Sequence, residues 1–183
     1  MHNLPEKWFF LKDLENKNLE TLKKINSNIG VIFINKDYSS SVVSSREKSL
    51  FNFCRSNSIT YLINGSLETA IRLRAKGIFI PINNLIKKKS NKNLICATTV
   101  HNKQEIIISN SKKFDLVFLS SVFFTNTHRK ALPLNPLRFL NLSKFIKSNI
   151  YALGGVNEKN IKRLKCNKLH GFGGISFFKE NIF

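Results

Sequence analysis

Short apolar runs rich in Ile, Val and Phe recur from one end of this chain to the other, each closed by a polar turn and most of them followed by an amphipathic stretch. This rhythm is the strongest constraint on the fold. Strands buried on both faces read as continuous apolar runs, and their alternation with helices is the pattern of βα units laid side by side on a parallel sheet. Strand candidates fall at 8–11, 30–34, 60–63, 77–80, 94–98, 116–119, 150–153 and 171–175. Helical spacing places helices at 14–25, 44–56, 66–75, 103–109, 137–147 and 158–164. In the first of these, Leu14, Leu19, Leu22 and Ile25 share one face with charges between them. Ser66 stands before Leu67-Glu68-Thr69-Ala70 as an N-cap.

Eight strands in 183 residues leave about 23 residues per unit, just under the usual lower size of an eightfold barrel. The expected architecture is therefore α/β, a compact (β/α)8 TIM barrel occupying residues 1–183 as a single domain. Its fourth helix, after Pro81, and its eighth, after Phe177, must be shortened. A doubly wound open sheet is the alternative, but the first strand is not followed by the GxGxxG of its dinucleotide-binding version. A chain of this length buries roughly 70% of its unfolded surface, so it can build a core without a disulfide or structural metal. Cys54, Cys96 and Cys166 are odd in number, widely spaced and outside any CxxC pattern. They read as reduced thiols of a cytoplasmic protein, and they argue against a zinc site. The N-terminal residues lack a signal-peptide pattern, and no apolar run approaches membrane-spanning length, so no membrane partner is expected.

The formal charge of +19 invites a nucleic-acid reading. Its composition argues otherwise. The excess is carried by 23 Lys against 7 Arg, in a chain that also holds 23 Asn, 20 Ile and 16 Phe, all residues of AT-rich codons. Drift toward such codons raises the isoelectric point without shaping a binding face. The densest basic run, Lys87-Lys88-Lys89-Ser90-Asn91-Lys92, is too short for a groove and has no interleaved aromatics, so it reads as a solvated loop. No specific nucleic-acid partner is expected.

Barrels of this kind build their sites from the loops at the C-terminal ends of the strands, commonly with phosphate held after strands seven and eight. The seventh run ends in Ala152-Leu153-Gly154-Gly155-Val156-Asn157, with a helix able to start at Asn157 or Glu158, and the eighth runs through Gly171-Phe172-Gly173-Gly174-Ile175-Ser176. Paired glycines let backbone approach an anion, and amides at a helix start point toward it. One pair alone only permits a tight turn; two pairs after the last two strands point to a phosphate. After the sixth run, residues 119–130 supply Ser120, Ser121, Thr125, Thr127, His128, Arg129 and Lys130, a loop chemistry suited to an anionic substrate. Taken alone, that cluster is an ordinary hydrophilic loop. His101, at a helix start after the fifth run, reads as a capping or packing residue, and His2 and His170 sit in no motif.

Together these segments resemble the thiamine phosphate synthase and TenI superfamily, most closely its small, divergent alphaproteobacterial-type branch. The resemblance runs from about residue 8 to 178. It rests on Thr98-Thr99-Val100-His101-Asn102-Lys103-Gln104-Glu105, Phe123-Phe124-Thr125-Asn126-Thr127, Tyr151-Ala152-Leu153-Gly154-Gly155-Val156 and Gly173-Gly174-Ile175-Ser176, in family order and spacing. Synthases of this family join a thiazole phosphate to hydroxymethylpyrimidine pyrophosphate with release of pyrophosphate. The resemblance implies that Gly154, Gly155, Gly174, Ile175 and Ser176 hold the thiazole phosphate and that Thr125 and Thr127 line the thiazole side. It makes Lys36, Asn64, Thr99 and His128 the catalytic candidates, with Thr99 at the position of a family Ser near the pyrophosphate.

Departures from the family pattern fall in the other half of the site. The Gln-x-Arg-x-Lys strand is replaced by Ile32-Phe33-Ile34-Asn35-Lys36, the Asn-Asp pair by Asn64-Gly65, and a second metal-binding Asp falls near Asn84. Magnesium prefers carboxylate and phosphate oxygens, so no metal ligand is assigned, and Mg2+ would depend on ligands from pyrophosphate itself. His128 stands where many synthases carry Lys and supports a leaving group only when protonated. The Gly-His pair of TenI-type tautomerases is Ser120-Ser121 here, which leaves that proton shuttle without a carrier. The implied function is a thiamine phosphate synthase-type transferase acting on phosphorylated small molecules. The alternative is a non-catalytic or TenI-like thiazole-phosphate binder that has lost the magnesium site.

Overall fold

A computed structural model describes residues 4–83, 93–125, 132–164 and 166–181. Eight parallel strands close into a barrel in chain order, the expected architecture. They are β1 (Lys7–Leu11), β2 (Ile29–Phe33), β3 (Tyr61–Asn64), β4 (Gly77–Phe79), β5 (Ile95–Val100), β6 (Leu116–Leu119), β7 (Asn149–Leu153) and β8 (Leu169–Gly174), with β8 pairing back on β1 through Lys7 and Phe172. The helices are α1 (Asn16–Lys24), α2 (Ser45–Ser56), α3 (Leu67–Arg72), α4 (Lys103–Ser111), α5 (Asn135–Ser143) and α6 (Ser176–Asn181). The short eighth helix is thus the six-residue α6. Residues 84–92, where the shortened fourth was expected together with the run of lysines, lie outside the described residues.

One expected helix is corrected. Residues 158–164 form only a 3-10 turn, Ile161–Arg163. Asn157 explains the shortfall: its Oδ1 accepts the backbone N–H groups of Lys159 and Asn160, and Asn160 turns back to donate to the Gly155 carbonyl. An Asx-type turn therefore takes the amides that a helix start would have used. Elsewhere local chemistry agrees with the fold. Ser44 and Glu47 close a reciprocal capping box on α2, and the Ser66 side chain caps α3.

Period-two alternation along the strands sorts the core into two shells. Phe9, Leu11, Val31, Phe33, Ile63 and their counterparts face outward under the helices. Trp8, Phe10, Ile32, Leu62, Phe79, Leu116, Phe118 and Tyr151 fill the barrel interior. This interior is unusually aromatic. Phe10 meets Phe118 and Phe79 edge to face at 5.0 and 5.5 Å, and Trp8 meets Tyr151 the same way at 6.3 Å. Such pairs contribute about 0.5–1.5 kcal/mol each beyond their buried area. Room for the indole comes from Gly30, where a Cβ would stand 2.4 Å from the Trp8 ring. The N-terminal end of the barrel is closed by the incoming chain: the Tyr151 hydroxyl donates to the Pro5 carbonyl at 2.9 Å, and the Phe172 N–H donates to Glu6. The opposite end stays open.

Candidate active site

At that open end lies a cavity of about 500 Å3, floored by Phe10 and Phe79 and walled by the loops after β4 to β8. Gly154, Gly155, Gly174, Ile175 and Ser176 all line it, so the loops after β7 and β8 meet there. Their glycines are not equivalent. Gly154 and Gly155 adopt φ of +91° and +66°, the left-handed region that other residues avoid. A Cβ on Gly154 would lie 2.1 Å from Ser121 Oγ, and one on Gly155 would lie 2.3 Å from the Phe124 carbonyl oxygen. This pair is therefore required by the close approach of the β6 and β7 loops, whatever binds there. Backbone bonds from Val122 to Leu153 and from Phe123 to Gly154 hold the same approach. Gly174 differs: a Cβ there would meet only Phe177 Cβ at 3.7 Å, ordinary contact. It lines the cavity beside Phe177 without a steric demand for glycine.

Thr99 and Thr125 also line the cavity, as do Ser120 and Ser121, joined by a cis peptide bond. Thr127 and His128, with Arg129 and Lys130, lie outside the described residues. A pair that sequence reasoning undervalued completes the wall. His101 and Glu105 both line the cavity; His101 Nδ1 stands 3.0 Å from Glu105 Oε2, and the His101 backbone N–H donates to the same oxygen at 2.7 Å. The other Glu105 oxygen accepts from Asn102 Nδ2, while the Glu105 N–H donates to Asn102 Oδ1, the N-cap of α4. His101 is thus tied to the cap, as expected, but its imidazole and the carboxylate also stand at the cavity. Their i, i+4 spacing around an Asn cap was the available signal.

Lys36 and Asn64 do not line this cavity. Lys36 Nζ donates to Glu47 Oε2 at 2.6 Å and to the Val42 carbonyl at 2.7 Å. Glu47 is buried, and its carboxylate also accepts from the Ser44 N–H and hydroxyl, Asn35 and the Tyr38 hydroxyl. Burial pushes this carboxyl upward, but the hydrogen bonds from Lys36, Ser44 and Asn35 outweigh it and hold the group at about 2. The charge of Lys36 is therefore spent inside the protein. Asn64 Nδ2 donates to the Lys36 carbonyl at 3.1 Å, and the Tyr38 N–H donates to the Asn64 carbonyl at 2.8 Å. Both candidates thus lace the loop after β2 to the end of β3.

The two positions that resemblance gives to magnesium carboxylates hold Gly65 and Asn84. Among the described residues no three His, Cys, Asp or Glu side chains gather to hold a metal. Gly65 offers no donor, and a Cβ added to it would press on Ser39, with Oγ at 3.1 Å and the backbone N at 3.3 Å. The Asp37 carboxylate accepts from the Ser39 N–H. Asn84 lies outside the described residues.

Comparison with known proteins places these features in a family. The model for thiamine monophosphate synthase matches residues 12–178. The chain is 30% identical to the thiamine-phosphate synthase of Methanococcus maripaludis over 120 residues, 63% of this chain and 56% of the relative. It is likewise 30% identical to that of Methanosarcina mazei over 121 residues, 63% of this chain and 50% of the relative. The matched stretch thus spans little more than half of these curated relatives. Among solved structures, thiamine phosphate pyrophosphorylase from Pyrococcus furiosus superposes with a TM-score of 0.69 at 18% identity, covering 97% of this chain and 92% of that one.

Proposed function

Because the chain belongs to the thiamine monophosphate synthase family, we propose that it acts in thiamine biosynthesis on a thiazole phosphate held in the barrel mouth. The reaction is the transfer of a hydroxymethylpyrimidine unit to the thiazole nitrogen with departure of pyrophosphate. One observation carries this reading: the Gly154-Gly155 turn and the Gly174-Ile175-Ser176 segment, remote in sequence, meet on a single cavity whose floor is apolar. Backbone close to the phosphate would fix one end of the ligand, and Phe10, Phe79 and Leu153 would receive a flat heterocycle. Catalysis would then consist of placing the nucleophilic nitrogen in line and excluding water from the developing pyrimidine cation. Thr99 and Thr125 are the hydroxyls placed to hydrogen-bond the substrates, and Thr127 and His128 are further candidates from the same loop. Cys54, Cys96 and Cys166 form no disulfide, which suits a cytoplasmic location. Among the described residues no helix is long and apolar enough to cross a membrane.

A second reading is favoured by the Lys36–Glu47 pair and by Gly65: a thiazole-phosphate binder without transferase activity. With Lys36 neutralised, the β2–β3 sector offers little to a departing pyrophosphate. The deciding experiment supplies both substrates and magnesium and detects thiamine phosphate, with calorimetric titration of thiazole phosphate alone beside it. Binding with turnover supports the synthase; binding without turnover supports the binder; failure of thiazole phosphate to bind sinks both.

A further inference from the structure

The outer wall of the barrel carries a second concavity. α3 stops after six residues, close to the C-terminal part of α2. A trough of about 730 Å3 opens there, bounded by the loop 39–43, α2 and the segment Arg72, Leu73 and Arg74. Lys48 and Arg55 line it from α2, Arg72 and Arg74 from the end of α3, and among the described residues no carboxylate lines it.

Codon drift accounts for abundant Lys but not for Arg, of which the whole chain has 7. Three of those seven, Arg55, Arg72 and Arg74, line this one trough. Their placement is built rather than incidental. Arg55 Nη1 donates to the Tyr61 hydroxyl at 3.4 Å, and that hydroxyl donates to the Leu73 carbonyl at 2.7 Å. Tyr61 is buried, so it ties Arg55, in the last turn of α2, to the backbone of Leu73 between Arg72 and Arg74. Planar guanidinium forks match phosphate oxygens two at a time, which ammonium groups do not. A second copy of this chain would bring another +19 charges to the same place, so self-association is disfavoured. The volume exceeds that of a lone phosphate.

We propose that this trough binds a small polyphosphate, a molecule carrying two or three linked phosphate groups, at a site separate from the barrel mouth. The proposal goes beyond the thiamine-related reading and does not depend on it.

Calorimetric titration of the full chain with inorganic triphosphate at about 0.15 M salt tests it, with thiazole phosphate absent and then saturating. One triphosphate per chain, unaffected by thiazole phosphate, is expected. Arg72→Gln combined with Arg74→Asn should weaken it by roughly tenfold or more, the loss of charge-assisted hydrogen bonds. Both side chains are exposed, and Asn tolerates the φ of 55° at position 74, so the fold is spared. Lys144→Gln with Lys147→Gln removes the same charge from exposed positions elsewhere and should change little. Equal loss in that control would mean diffuse attraction and overturn the site. Competition by thiazole phosphate would place the triphosphate in the barrel mouth and overturn it too. Displacement by single-stranded RNA at lower concentration than by triphosphate would make the trough a nucleic-acid face and end the small-ligand proposal.

Discussion

Lys36 Nζ lies 2.6 Å from Oε2 of the buried Glu47, and that pair closes the loop after β2 over the start of α2. A lysine that resemblance makes a catalytic candidate is held here as the partner of a buried carboxylate. Glu47 also completes the capping box of α2, so one carboxylate serves a helix end, a loop and a neighbouring hydroxyl at once.

Acid stability should report this pair. Glu47 sits at about 2 in the folded chain against 4.5 for an ordinary Glu. Because the folded value is depressed, its contribution is complete above pH 4.5 and is lost as the pH falls toward 2. A shift of this size corresponds to stabilisation on the order of 3 kcal/mol. Urea denaturation across that window should show the loss in wild type, and Glu47→Gln should flatten the slope while lowering stability at neutral pH. An unchanged slope in the variant would remove Glu47 as the titrating group. Lys36→Met should likewise cost stability and leave thiazole-phosphate affinity intact.

The barrel interior can be probed at one position. Adding a methyl at Gly30 places it 2.4 Å from the Trp8 ring, within a shell already filled by aromatic edges. Gly30→Ala should destabilise the chain by about 1–3 kcal/mol, the usual cost of overpacking. Trp8 is the only tryptophan and is fully buried, so its fluorescence reports the transition directly. A variant as stable as wild type would show that the indole can move aside.

The barrel was legible in the sequence because short apolar runs, bounded by turns, alternate with amphipathic stretches, and all eight runs became strands. The turn at 161–163 was not, because its apolar spacing resembles a helix while Asn157 and Asn160 spend the backbone amides locally. Among site residues, glycines and strand-end hydroxyls could be placed because loop position on a barrel dictates where they go. Lys36 could not, since a long side chain can turn either to the mouth or to a partner, and Glu47 lies eleven residues away on a helix. Pairings of that kind are decided by packing.

Thiol chemistry should separate the cysteines. Cys54 is fully buried on α2, and burial, opposed only weakly by Arg55, pushes its thiol up to about 12. Cys166 is partly exposed, with its sulfur 3.5 Å from the Ser143 hydroxyl. Thiolate is the reactive form, so an aromatic disulfide reagent at pH 8 should modify Cys166 first and reach Cys54 only after denaturation. Peptide mass mapping of the early product checks the order. Rapid labelling of Cys54 in the native chain would contradict the packing of α2 against β2 and β3.

The two glycine loops make opposite predictions, and the contrast separates a structural glycine from a ligand-facing one. Gly155 has φ of +66° and a carbonyl oxygen 2.3 Å from where a Cβ would stand. Gly155→Ala should therefore lower thermal stability, and any loss of binding would be ambiguous. Gly174 is free of both constraints, because its nearest neighbour to an added Cβ is Phe177 Cβ at 3.7 Å. Gly174→Ala should leave the melting temperature almost unchanged while adding a methyl group to the cavity lining beside Phe177. Overpacking of about 1–3 kcal/mol then appears in binding rather than in folding, weakening thiazole phosphate roughly tenfold to a hundredfold. Differential scanning fluorimetry and calorimetric titration of the same two variants provide the comparison. If Gly174→Ala binds thiazole phosphate as tightly as wild type, the phosphate does not sit against β8, and the convergence of the two loops is a matter of chain packing alone.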